Sequence, residues 1–509
     1  MSFTFNSVRI AALAVCSSIA MLAQAAPPLK IVGPWEIHSI DPAGNGVFFT
    51  RLQVAESLVD ADTKSVLRPG LAESWKVSAD KLSWRFVLRK NAFFHDGSPL
   101  TAQDVVRSLE IARKKPGVIK TAPIKQISAQ KGDVIVELTK PFALLPALLA
   151  HASTQILAPA SYAADGNVKQ VIATGPYRIS QLAQPQSILV ERFDKWWGKA
   201  PDIDAVSYLS VSRAESRALM AESGQADITF GLDPVSVGRV RQKGSVQIVS
   251  VTLPRTILVK FNAAHAALKD VDARRAISLA IDRAGLTKAL LRDPEMAATQ
   301  LFPPTMADWH RSDIPPLKHD PKQAVQLLAA LGWKPGSDGV LMRDGKPFEL
   351  TLRTFPDRPE LPPIATAIQD QLRKVGIAVR VSIGNSSEIP AGHRDGTLEL
   401  GMGARNFALV PDPLVTLIDD YGDKGGDWGA MNWSSPVVTT ALQRLAVDPT
   451  DNEARAHRAQ VVTQLQSELP VLPIAWYRQS AAVTRKLEGV VLDPLERSYL
   501  LTEMRWRKP

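Results

Sequence analysis

The side chains that most often catalyse reactions or bind metals are dispersed along this chain of 509 residues. None of its eight histidines forms the i, i+4 pair with an intervening glutamate that a zinc hydrolase helix requires. The nucleophile-elbow pattern G-x-S-x-G is absent, and so are the glycine-rich patterns that hold phosphate groups. Acids such as Asp419 and Asp420 are adjacent, so they point in different directions on any regular element. The sequence therefore predicts no catalytic centre, no resident metal and no cofactor, and it leaves a periplasmic hydrolase only as a remote alternative.

The first 25 residues predict export from the cytoplasm. Arg9 precedes an apolar run over residues 10–23, which is too short to span a bilayer. The small-polar-small tripeptide ending at Ala25 then matches a signal-peptidase site, so we expect cleavage after Ala25 and a periplasmic location. A retained membrane anchor is the alternative. The only cysteine, Cys16, lies inside this leader, and the long mature chain can bury a core without disulfides.

The composition is that of an ordinary globular protein, with 45% hydrophobic and 22% charged residues. Its length predicts two to four folding units. The formal charge of +9 comes from basic residues that are scattered among acids. Because no basic stripe or recognition motif is present, we expect no nucleic-acid partner.

Short alternating runs and helical periods predict an α/β chain. The alternating apolar positions occur in three runs: Trp84, Phe86 and Leu88; Val134, Val136 and Leu138; Val379, Val381 and Ile383. The third run follows a helical stripe from Ile364 to Val375 that ends at Gly376. Two more helices are predicted to begin at Asp270 or Asp272 and at Asp320, each an acid suited to cap the first turn.

Several separated blocks resemble, in order, the bacterial extracellular solute-binding proteins of family 5, the peptide and nickel class that serves ABC importers. The blocks are residues 71–75 (LAESW), 84–89 (WRFVLR), 94–105 (FHDGSPLTAQDV), 174–177 (TGPY), 195–198 (KWWG), 261–262 (FN), 274–283 (RRAISLAIDR), 412–413 (DP), 432–433 (NW) and 472–474 (LPI). The resemblance covers essentially the whole mature chain.

This resemblance implies an α/β, bilobal periplasmic-binding-protein fold of type II, in the large peptide-binding class. Two lobes that close around a solute would be joined by two hinge crossings, expected at residues 252–262 and 472–483. One lobe would carry an extra inserted subdomain. The expected divisions are a signal peptide (1–25), a lobe I core (26–50, 174–255 and 476–509), the inserted subdomain (51–173) and lobe II (256–475).

The resemblance also indicates which residues contact the solute. The stretch 401–413 is similar to a family segment that leads from a strand into the cleft. Within it Arg405 would bind a carboxylate, Asn406 would hydrogen-bond beside it and Phe407 would wall the pocket. Further candidates are Trp35, His38, Phe49 and Tyr477. The alternatives are a surface ion pair for Arg405 and plain core packing for the aromatic residues.

Two departures from the family pattern bear on the solute. Peptide-binding relatives place an aspartate shortly before the Asp-Pro pair to hold an α-ammonium group, but residues 408–411 read ALVP. Nickel-binding relatives clamp their chelator with an arginine, but the matching stretch of this chain, residues 148–159, contains no arginine. We therefore expect a noncatalytic, monomeric binding protein that delivers a short peptide or peptide-like acid to an ABC permease. A nickel or other metal chelate is the alternative, and haem or glutathione-like solutes stay open.

Overall fold

The computed structural model describes residues 27–244, 246–423 and 425–508. The predicted leader, its cleavage site after Ala25 and Cys16 lie outside these ranges. Over the described ranges, no helix has both the length and the apolar character needed to cross a membrane.

The described chain alternates strands and helices. The strands are β1 (Leu29–Gly33), β2 (Val59–Ala61), β3 (Leu67–Pro69), β4 (Ala72–Val77), β5 (Ser83–Leu88), β6 (Ile124–Gln130), β7 (Asp133–Leu138), β8 (Tyr177–Ala183), β9 (Ser187–Arg192), β10 (Ala205–Ser210), β11 (Ile228–Phe230), β12 (Val246–Phe261), β13 (Lys334–Pro335), β14 (Leu341–Arg343), β15 (Lys346–Pro347), β16 (Glu349–Thr354), β17 (Ala378–Ile383), β18 (Leu400–Asn406), β19 (Val471–Thr484), β20 (Leu487–Glu488) and β21 (Arg505–Trp506). The helices are α1 (Pro42–Arg51), α2 (Ala102–Lys114), α3 (Leu145–Leu148), α4 (Ala214–Ser223), α5 (Pro234–Lys243), α6 (Val271–Ala280), α7 (Arg283–Leu286), α8 (Pro321–Ala330), α9 (Leu361–Arg373), α10 (Glu388–Arg394), α11 (Pro413–Tyr421), α12 (Pro436–Val447) and α13 (Ala454–Glu468).

The elements predicted from periodicity are confirmed. The first two alternating runs lie on β5 and β7, and the third lies on β17 directly after α9. The cap at Asp320 is also confirmed, because its carboxylate accepts a hydrogen bond from the backbone N–H of Gln323 at 2.9 Å. Helix α6 follows Asp270, whose side chain makes no capping hydrogen bond.

One ten-stranded mixed sheet runs through the molecule in the order β17-β16-β18-β12-β19-β11-β1-β10-β9-β8. The long strands β12 and β19 lie at its centre and pair antiparallel from Val246 with Thr484 to Lys260 with Val471. At one end β12 also pairs with β18, and at the other end β19 pairs with β11. The two predicted crossing segments are thus extended strands that connect the two halves of the sheet.

The buried apolar residues form several cores on the two sides of these crossing strands. One core packs α1, β1, β10 and the C-terminal segment around Phe49, Tyr177 and Tyr208. A second core packs β16, β18, α6 and α9 around Phe261 and Phe348. Each half of the sheet therefore carries its own hydrophobic core, as a hinged protein requires.

A separate four-stranded sheet, in the order β4-β5-β7-β6, packs with α2 on a third core. This core continues into α11, α12 and α13, which belong to the other half of the chain. The backbone N–H of Ala143 donates to the carbonyl of Ala446 at 2.9 Å, and Lys81 pairs with Asp448 at 2.8 Å. The small sheet therefore touches both halves of the molecule.

Candidate functional site

A cavity of about 70 Å³ lies beside the crossing strands, and we call it the front cavity. Helix α1 contributes Thr50 and Arg51, β12 contributes Arg255, and β18 contributes Asn406. The other lining residues are Val47, His151, Ala152, Leu409, Leu495, Glu496 and Arg497. Segments that are far apart in sequence and lie in both halves of the sheet therefore meet here.

Arginines dominate the polar lining of the front cavity. Arg255 is 7% exposed and donates a hydrogen bond from Nη2 to Oε2 of Glu496. Arg51 donates from Nε to the backbone carbonyl of Glu496 at 3.0 Å, and its Nη2 lies 3.9 Å from Oε1 of the same residue. Asn406 donates to Oε2 of Glu496 at 3.3 Å. One carboxylate thus faces two guanidinium groups.

The charges of this cluster respond to burial and to one another. Burial acts to raise the pKa of Glu496, but Arg255, Arg51 and Arg358 outweigh it, so the pKa of Glu496 is lowered. Burial lowers the pKa of Arg255, and the charge of Glu496 opposes that shift. The buried charge of Arg255 therefore depends on the negative charge of Glu496 beside the cavity.

Two more arginines border this region. Arg497 donates to Asp60 at 2.8 Å and to the backbone carbonyls of Ala61 and Ala150 at 3.1 and 3.0 Å. Arg358 donates to the hydroxyl of Tyr477 at 3.2 Å, and the guanidinium groups of Arg358 and Arg255 both lie 5.2 Å from the ring centroid of Tyr477. Burial raises the pKa of Tyr477 to about 12, so its hydroxyl stays neutral.

Of the three predicted contacts Arg405, Asn406 and Phe407, only Asn406 lines the front cavity. Two guanidinium nitrogens of Arg405 donate to Asp420, Nε to Oδ2 at 2.6 Å and Nη2 to Oδ1 at 2.7 Å. Asp420 is fully buried, so Arg405 forms a buried ion pair instead of a carboxylate-binding group in the cavity. Phe407 is also fully buried and packs edge-on against Phe302 with ring centroids 5.2 Å apart. The structure therefore places Arg405 and Phe407 in the scaffold.

The other four predicted residues are not among those that line the front cavity. Trp35 packs below Arg51, whose guanidinium carbon is 4.6 Å from the ring centroid. Phe49 is fully buried in the core beneath α1. The side chain of His38 is 73% exposed and lies 3.5 Å from Glu36. Tyr477 contacts the arginines as described above. The solute contacts expected of these four residues stay predictions.

Sequence reasoning missed the charged residues that line the cavity: Arg51, Arg255, Glu496 and Arg497. One signal was available, because Arg255 interrupts an apolar extended run inside a predicted crossing segment. A charge at a central strand position usually has a specific partner. Nothing comparable marks Glu496, since the segment around it has no clear periodicity.

The chain is similar to proteins of one known family. The model of the family described as bacterial extracellular solute-binding proteins, family 5 Middle, matches residues 66–428. The chain belongs to this family, whose members are extracellular binding proteins. The family assignment and the α/β fold class predicted from the sequence are therefore confirmed.

Individual relatives bind different solutes. The nickel-binding periplasmic protein of Escherichia coli (strain K12) is 22% identical over 520 residues, which is 98% of each chain. The oligopeptide-binding protein AppA of Bacillus subtilis (strain 168) is 28% identical over 349 residues, covering 64% of this chain and 63% of AppA. The crystal structure of NikA from Brucella suis in complex with Fe(III)-EDTA superposes with a TM-score of 0.84 at 21% identity, covering 95% of this chain and all of NikA (100%).

Proposed function

We propose that this protein is the exported binding component of an ABC importer, and that it captures a small carboxylate-bearing solute and passes it unaltered to a membrane permease. The first candidate solute is a short peptide or peptide-like acid. The observation that carries this proposal is the excess of arginine over carboxylate around the front cavity. Export follows from the predicted leader with cleavage after Ala25, and membership of a binding-protein family supports the noncatalytic role.

The arginine cluster suits a carboxylate for a physical reason. Guanidinium groups bind carboxylates through two parallel hydrogen bonds, and a buried guanidinium is costly without an anion. Arg51 and Arg255 share the single carboxylate of Glu496, while Arg497 is occupied by Asp60. A solute carboxylate would supply the remaining negative charge.

Capture would require the two halves of the molecule to move. The front cavity of about 70 Å³ is several times smaller than the roughly 300–1,000 Å³ of an ordinary ligand pocket, so a solute enters only when the walls separate. We place the hinge in β12 and β19, because they are the central strands that connect the two cores. Closure would then remove water from the solute and strengthen its contacts with the arginines.

The proposed lobes follow the divisions expected from the sequence. Lobe I comprises residues 26–50, 174–255 and 476–509, the inserted subdomain comprises 51–173, and lobe II comprises 256–475. The separate cores on the two sides of the crossing strands support this division. The third core also includes α11, α12 and α13, so the inserted subdomain would slide or part from lobe II during opening.

A metal chelate is the second candidate solute. The likeness to a nickel-binding protein over nearly the whole chain, and to NikA in complex with Fe(III)-EDTA, favours it. Among the described residues, no three His, Cys, Asp or Glu side chains are grouped as metal ligands. The arginines would therefore hold carboxylates of the chelator, which would carry the metal as cargo.

Thermal shift and calorimetry with purified mature protein test this proposal. The probes are the dipeptide Glu-Glu, its fully amidated analogue Gln-Gln-amide, Fe(III)-EDTA and nickel-histidine. We expect stabilisation by Glu-Glu or by a chelate through binding linkage, and none by the amidated peptide. Equal stabilisation by the amidated peptide, or turnover of either peptide, would contradict a carboxylate-binding function.

A further inference from the structure

The carboxylate of Glu496 points into the cluster from a loop that is held in place by several contacts. Glu496 has a φ of 56°, in the left-handed region that residues with a side chain seldom occupy. The carboxylate of Asp493 accepts hydrogen bonds from the backbone N–H groups of Leu495, Arg497 and Ser498 at 2.9, 2.9 and 3.0 Å. A backbone conformation of this kind persists only where the surroundings hold it, and such residues are frequent at binding sites.

The cluster around Glu496 is incomplete without a further negative charge. Nε of Arg255 is buried and has no hydrogen-bond partner among the described residues. Arg255 itself is 7% exposed and lines the front cavity. The cluster therefore has donor capacity that Glu496 does not use, and a polar ligand group in the cavity beside Arg255 would offset the cost of the unpaired donor.

We propose that the carboxylate of Glu496 occupies one of the anion-binding positions beside the arginines of the front cavity. It thereby limits how many carboxylates the bound solute carries. This proposal rests on the proposed function and deepens it, because it names the property of the solute that the site selects. The side chain of Glu496 belongs to the protein and cannot leave. It binds Nη2 of Arg255 and leaves the remaining positive charge of Arg255 and Arg51 to the solute.

Removal of the negative charge of Glu496 should change how many carboxylates the preferred solute carries. In Glu496→Gln the side chain keeps its size and one acceptor oxygen but loses its charge. The two guanidinium groups then lack their shared counter-ion, and a solute with one more carboxylate should replace it. Coulomb attraction between groups a few ångströms apart in a partly buried site is large enough to change a dissociation constant by roughly tenfold or more.

The experiment measures dissociation constants by calorimetry and NMR for three acids that share a propane backbone: butyrate, glutarate and tricarballylate, with one, two and three carboxylates. We expect Glu496→Gln to favour tricarballylate over glutarate by roughly tenfold or more relative to the unchanged protein. Glu496→Asp keeps the charge, so the ratio of the dissociation constants for glutarate and tricarballylate should stay that of the unchanged protein.

A matched control is Glu503→Gln, which removes the same charge from an exposed residue of the same C-terminal segment. It lines a neighbouring cavity but not the front cavity, so the ratio should not change. Glu496→Ala supplies a second neutral variant in case Glu496→Gln fails to fold.

The two proposals fail in different ways. An unchanged ratio in the neutral variants, with all proteins binding carboxylates, would overturn the role of Glu496 and leave the proposed function intact. Equal weakening of all three acids would also overturn it, because it would make Glu496 a purely structural contact. Binding of none of the acids by any variant, together with no binding of Glu-Glu or of a chelate, would overturn the proposed function as well.

Discussion

Two arginine–carboxylate clusters lie on neighbouring residues of the same strand pair and differ in their charge balance. Arg405 stands opposite Thr256 in the register of β18 and β12, and Asn406 stands opposite Arg255. Successive residues of a strand point to opposite faces, so Arg405 and Arg255 belong to different environments. Arg405 has its own buried partner in Asp420, whereas Arg255 shares Glu496 with Arg51.

The difference teaches that the number of partners, more than the residue type, distinguishes a binding arginine from a structural one. The pair of Arg405 and Asp420 is balanced, so a solute has no charge to neutralise there. The cluster at the front cavity has more positive than negative groups, and its donors are only partly used. Four variants test this comparison.

Arg405→Met should have the largest effect on stability. It leaves the fully buried Asp420 without its partner, and breaking one half of a buried pair costs about 3–5 kcal/mol of the free energy of unfolding. Urea denaturation measures the loss. Arg373→Met is the control, because the side chain of Arg373 is 78% exposed and pairs within its own helix. A loss as small as that of the control would end the structural interpretation of Arg405.

Arg255→Met should act mainly on binding. Truncation of one partner of a buried charge pair typically weakens binding by roughly 2–5 kcal/mol, so the affinity for Glu-Glu or for a chelate should fall by that amount. The loss of folding stability should be smaller than in Arg405→Met, since Arg51 and Asn406 still contact Glu496. Calorimetry and urea denaturation of the same preparations separate the two effects. Unchanged affinity would remove Arg255 from the site.

Glu56→Gln extends the comparison of the two clusters to a carboxyl group that forms no ion pair among the described residues. Glu56 instead accepts from the indoles of Trp196 and Trp197 at 3.2 and 3.0 Å, and burial raises its pKa from 4.5 to about 7. The pKa of Glu56 is higher in the folded protein than in the unfolded protein. The stabilisation of the folded state by protonated Glu56 is therefore complete below pH 4.5 and is lost as pH rises through 7.

We therefore expect the unchanged protein to lose roughly 1–3 kcal/mol more than Glu56→Gln between pH 5 and pH 8. The measurement is the free energy of unfolding of both proteins across that range. Parallel curves would show that Glu56 ionises normally in the folded protein.

Lys81→Gln should have the smallest effect. Lys81 and Asp448 join the small sheet to the loop after α12 at 2.8 Å, but their side chains are 44% and 35% exposed. Exposed pairs contribute about 0–1 kcal/mol, and salt screens them. Lys125→Gln, which breaks a pair with Glu137 within the small sheet, is the matched control. A loss above about 2 kcal/mol would mean that the contact between the small sheet and α12 is a desolvated, strongly coupled interface.

Much of the fold was predictable because it depends on local patterns. The strands around Trp84 and Val134 follow alternation, and the helix after Asp320 follows capping chemistry, both of which act over a few residues. The crossing segments were expected from the resemblance to the family, and their extended apolar runs fit strands that are buried on both faces.

The candidate site was predictable only in part. Asn406 lies at the cavity, but strand alternation does not say which of Arg405 and Asn406 faces it. Arg51 and Glu496 are 445 positions apart, and no local pattern connects them. Lys260 shows the same limit: it is 1% exposed, and burial lowers its pKa to about 7, yet the sequence around it reads as an ordinary strand.

Sequence alone was sufficient to establish the family, the alternation of strands and helices and the two central connections, because short-range propensities and ordered motifs carry that information. The three-dimensional packing decided which charges meet and which of them are balanced. The physical reason is that the energy of a charge depends on its distance from other charges and on its removal from water, and the approach of remote segments sets both.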